Sequence, residues 1–90
     1  MLITQRTPKI IIALLDHTKD QSNMLYEACK DAVYHNNTPI NILKAAYILE
    51  HVQTLVKHNQ CHQVEYEYCL RYLSELSGYS PIELHQRAVL

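Results

Sequence analysis

Residues 39–58 read PINILKAAYILEHVQTLVKH, and this stretch decides the fold. Its apolar residues recur at spacings of three and four, which is the periodicity of one face of an α-helix. The residues that follow this spacing are Ile42, Ala45, Leu49, Val52 and Val56, and the two that widen the stripe are Ile48 and Leu55. A wide apolar stripe is typical of the central helix of a bundle, because a coiled-coil seam is narrower. The stretch therefore predicts the central helix of an α-helical bundle.

Proline and glycine mark the expected helix boundaries on either side of this stretch. Each of the three prolines follows a Thr or a Ser, and such a pair suits the N-cap and the first position of a helix. These pairs are Thr7-Pro8, Thr38-Pro39 and Ser80-Pro81. Glu83 completes a capping box with Ser80, and Gly78 stands where the preceding helix needs a left-handed C-terminal residue.

The other apolar stripes predict four further helices, over about 8–18, 20–35, 62–77 and 81–89. Thr18 either caps the second helix or lies in a kink that joins it to the first. Residues 59–63 either form a turn or continue the central helix; we expect the turn, because a longer helix would leave too little chain to cover it. No stretch has the alternation of a β-hairpin. The predicted fold class is all-α, a compact bundle of four to five short helices in a single domain.

The composition limits the classes of function. The formal net charge is −1 and the Lys and Arg residues are scattered, whereas proteins that grip phosphate backbones concentrate them, so we expect no nucleic-acid partner. The apolar run at residues 10–15 is too short for a signal core or a membrane span, so we expect no membrane association. The three cysteines are an odd number, which favours reduced thiols that pack as small apolar groups in the cytoplasm.

The histidines offer the only pattern that suggests a metal site. His51, His58 and His62 are spaced by seven and by four, and an unbroken helix would align them near Cys61. That alignment requires the expected turn to be absent, and the row lies opposite the apolar face. We therefore expect solvent-exposed histidines and no metal or other cofactor. The cysteines fit no CxxC motif and no acid pair sits in an apolar setting, so we expect no enzyme.

The helix expected over 62–77 carries an apolar surplus. Its core stripe is Tyr66, Cys69, Leu70, Leu73 and Leu76. Val64, Tyr68 and Tyr72 then remain on the other side at successive i+4 steps, within a charged border that resembles the rim of an interface. Ile40 and Tyr47 make a smaller outward pair on the central helix. The alternative is that a fifth helix or the N-terminal arm covers these residues.

These surfaces predict a non-enzymatic protein–protein interaction module. We expect a small cytoplasmic regulator, adaptor or chaperone-like protein that binds a protein partner, itself, or both, with a homodimer as the expected state.

Two family resemblances add to this interpretation. Residues 71–87, RYLSELSGYSPIELHQR, resemble the closing stretch of AraC-type DNA-binding domains, although the upstream helix-turn-helix of that family has no counterpart here. That resemblance implies an alternative function, a DNA-binding transcriptional regulator with residues 80–90 as its recognition element. Leu49-Glu50 and Leu70-Arg71-Tyr72 resemble small helical regulators of the enterobacterial biofilm and connector class, which implies a helical homodimer acting through protein contacts.

Overall fold

Five helices follow one another in the computed structural model, which describes residues 7–21, 23–35 and 39–89. They are α1 (Lys9–Thr18), α2 (Met24–Val33), α3 (Ile42–Lys57), α4 (Gln63–Ser77) and α5 (Pro81–Val89). No strand occurs in the described ranges. The prediction of an all-α bundle is confirmed.

The helix α3 lies at the centre of the bundle. It packs against α2, α4 and α5, whereas α1 packs mainly against α2. The buried residues of α3 are Ala45, Ala46, Ile48, Leu49 and Val52. The wide apolar stripe is thus shared among three neighbouring helices, and the central position predicted from residues 39–58 is confirmed.

Asparagines cap α2 and α3, in place of the threonines that the sequence suggested. Asn23 Oδ1 accepts a hydrogen bond from the Tyr26 amide at 2.8 Å, and Asn41 Oδ1 accepts one from the Leu43 amide at 2.6 Å. Each bond satisfies an amide that has no partner within the first turn of a helix. The helix α3 therefore begins at Ile42 and not at residue 39. The predicted cap at Thr38 lies outside the described residues.

Neither alternative for Thr18 is found, because α1 ends there and Asn23 caps α2. Thr18 is the last residue of α1, where its side chain is buried. Its hydroxyl donates to the Leu14 carbonyl at 2.7 Å, one turn earlier in the same helix. This backbone bond satisfies the buried hydroxyl.

A turn separates α3 from α4, as predicted for residues 59–63. Asn59 has a φ of 59°, in the left-handed region that Asn tolerates better than most residues. The Gln60 amide donates to the Leu55 carbonyl at 2.8 Å, which closes the end of α3. The two helices therefore form a hairpin and not one long helix.

The connection from α4 to α5 follows the predicted punctuation. Gly78 adopts a φ of 80°, and its amide donates to the Ser74 carbonyl at 2.9 Å. The Glu83 amide donates to Ser80 Oγ at 3.2 Å, and the Ser80 amide donates to Glu83 Oε1 at 3.5 Å. The left-handed glycine and the capping box are both confirmed, and they direct α5 back onto α3 and α4.

Candidate functional site

The row predicted on α4 is only partly exposed. Val64 is 66% exposed and Tyr68 is also exposed, but Tyr72 is 2% exposed, so its predicted place on the open side of the helix is wrong. The reason is helical geometry. An i+4 step advances by about 40° around the axis, which places Tyr72 roughly 80° from Val64 and turns it toward the core.

Hydrogen bonds hold Tyr72 in its buried position. Its hydroxyl donates to the Ala32 carbonyl at 3.0 Å and is hydrogen-bonded to Thr7 Oγ1 at 2.9 Å. Thr7 precedes α1, so Thr7 and the end of α2 together contact the buried hydroxyl. Burial raises the pKa of the Tyr72 hydroxyl. Thr7 thus makes a tertiary contact in place of the predicted helix cap, and Pro8 occupies the N-cap position of α1 without a side-chain cap.

Ile40 is also buried, at 4% exposure, and its predicted outward orientation is wrong. It precedes the first residue of α3, and its amide donates to the Leu76 carbonyl at 3.0 Å. Because Ile40 is not part of the helix, the helical spacing that paired it with Tyr47 does not apply. Tyr47 lies on α3 and is exposed, as predicted.

A cavity of about 440 Å³ opens between α2 and α3, lined by Asn23, Met24, Glu27 and Lys44. Met24 is 63% exposed, and Leu43 on the adjoining edge of α3 is 60% exposed. Tyr47 follows Leu43 by one helical turn on the same edge. We call the cavity and this edge the α2–α3 groove. Sequence reasoning missed the groove, although Leu43 and Tyr47 carry a usable signal, since both are large apolar residues at i and i+4 outside the core stripe.

Charges of both signs border the α2–α3 groove. Lys44 Nζ lies 2.6 Å from Asp31 Oδ2, so these two charges offset each other. Glu27 is exposed and forms no ion pair with another described residue, and the same is true of Lys30, one turn later on α2. The groove therefore presents apolar side chains beside charges of both signs.

The histidines do not form one row, because the expected turn after α3 separates His58 from α4. His58 follows the last residue of α3, and His62 occupies the N-cap position of α4 without a side-chain cap. The part of the chain that the structure describes contains no group of three or more His, Cys, Asp or Glu residues arranged to hold a metal ion.

The three cysteines are free thiols. Cys29 and Cys69 are buried, and burial raises the pKa of each thiol to about 12. Cys61 is only partly buried; burial is also the main reason why its pKa is raised, and Glu65 adds to the effect. Thiols with raised pKa values are poor nucleophiles, because the thiolate is the reactive form.

The residues predicted for the core stripe of α4 are all buried or partly buried. Tyr66, Cys69 and Leu73 are buried, while Leu70 and Leu76 are partly buried. The hydroxyl of Tyr66 is hydrogen-bonded to Nδ1 of His85 at 2.7 Å, and the two rings meet edge to face with centroids 5.7 Å apart. This contact attaches α5 to α4.

The exposed side of α5 carries charges of both signs, with Glu83 beside Arg87. A helix that enters a DNA groove typically presents a concentration of positive charge, and this face does not. Among the described residues, no helix is both long and apolar enough to cross a bilayer.

The chain matches no protein-family model, and neither a curated protein nor a solved structure is significantly similar to it. The resemblances noted for residues 71–87 and for the helical regulators therefore have no family match behind them.

Proposed function

We propose that this chain is a non-enzymatic protein-interaction module, a small cytoplasmic regulator or adaptor that works as a homodimer. The observation that carries the proposal is the exposed pair Val64 and Tyr68, one helical turn apart on α4. Single exposed apolar residues are normal on a protein surface, whereas a paired apolar and aromatic row is typical of an interface core.

Charges beside this pair favour a second copy of the chain as the partner. We call Val64 and Tyr68 the α4 row. Glu67 and Arg71 lie on one edge of this row, one turn apart, and neither forms an ion pair with another described residue. In a two-fold dimer with antiparallel α4 helices and its axis at the level of residue 69, Glu67 of each copy faces Arg71 of the other. Two symmetric ion pairs then lie beside the axis next to Tyr68 of each copy, with Val64 one turn farther from the axis, which is the self-complementarity that a two-fold interface requires.

Sedimentation equilibrium over a range of protein concentrations tests the proposal. We expect the wild type to reach the mass of two chains, and Val64→Lys to remain at the mass of one. Ile82→Lys is the matched control, because Ile82 is an equally exposed apolar residue on α5, and it should associate like the wild type. A wild-type mass of one chain at every concentration contradicts the homodimer.

A charge exchange tests the antiparallel arrangement itself. Arg71→Glu places carboxylates opposite one another in the dimer and should weaken association. The double variant Glu67→Arg, Arg71→Glu restores opposite signs and should recover most of the lost affinity. Equal association of the single and double variants contradicts the pairing of Glu67 with Arg71.

A further inference from the structure

We draw no further inference here: the strongest candidate, the apolar α2–α3 groove beside Met24 and Leu43, has charges of both signs at its border, and nothing in the structure shows what covers it.

Discussion

Replacing Tyr72 with Phe tests the burial of the residue that the sequence placed on the outside. The change keeps the ring and removes only the hydroxyl, which donates to the Ala32 carbonyl and is hydrogen-bonded to Thr7. Ala32 is 0% exposed and lies in the last turn of α2, where helix carbonyls lack amide partners within the helix. The variant therefore leaves a buried acceptor without this donor.

The expected loss of stability follows from these two bonds. An unsatisfied buried polar group costs about 1–3 kcal/mol, whereas the hydroxyl of Thr7 is only half-buried and can bond to water. We expect Tyr72→Phe to lower the free energy of unfolding by about 2 kcal/mol. In a domain of this size each kcal/mol shifts the Tm by about 4–8 °C, so the Tm should fall by roughly 8–16 °C.

Urea denaturation followed by far-UV circular dichroism measures this loss. Tyr34→Phe is the matched control, since Tyr34 is exposed and removal of its hydroxyl should change stability by less than about 0.5 kcal/mol. If the two variants are equally stable, the Tyr72 hydroxyl does not make its buried contacts with Ala32 and Thr7, and the explanation for the burial of Tyr72 is refuted.

Three further predictions concern the helix ends and the thiols. Gly78→Ala should lower the free energy of unfolding by about 1–2 kcal/mol, because a φ of 80° is unfavourable for Ala while the space around the added Cβ is open for 4 Å. Gly78→Asn should lose less stability in the same urea titration, and an equal loss would contradict the left-handed conformation of this residue. Ser80→Ala removes the acceptor for the Glu83 amide and should cost about 1 kcal/mol by thermal denaturation, whereas an unchanged Tm would mean that the capping box does not stabilise α5. In the folded protein an alkylating reagent should modify Cys61 before the buried Cys29 and Cys69, as measured by mass spectrometry after digestion. Equal rates of modification at all three thiols would contradict the burial of Cys29 and Cys69.

The helices were predictable because their signals are local. The i, i+3, i+4 pattern of residues 39–58 identifies α3, and Ser80, Glu83 and Gly78 mark the link between α4 and α5 through bonds within a few residues. The start of α3 was less predictable, because Thr38-Pro39 and Asn41 are both acceptable capping sites in the sequence. The structure uses Asn41, and Ile40 consequently lies before the helix and packs into the core.

The candidate site was less predictable, because its exposure depends on contacts between distant parts of the chain. Tyr72 shares the i+4 spacing of Val64 and Tyr68, and its burial follows from the rotation of that row together with cover from Thr7 and the end of α2. The groove beside Met24 depends on the relative placement of α2 and α3, which no local pattern specifies. Tyr47, by contrast, is exposed as its helical position indicated.

The central claim is that the exposed row on α4 is where two copies of this chain meet. A series of two-dimensional amide NMR spectra of the wild type, recorded while the protein is diluted, tests it most directly because it reports which residues change. We predict concentration-dependent amide shifts concentrated at Val64, Glu67, Tyr68 and Arg71, and their loss in Val64→Lys. Spectra that do not change on dilution, or shifts that leave α4 unaffected, would contradict the claim.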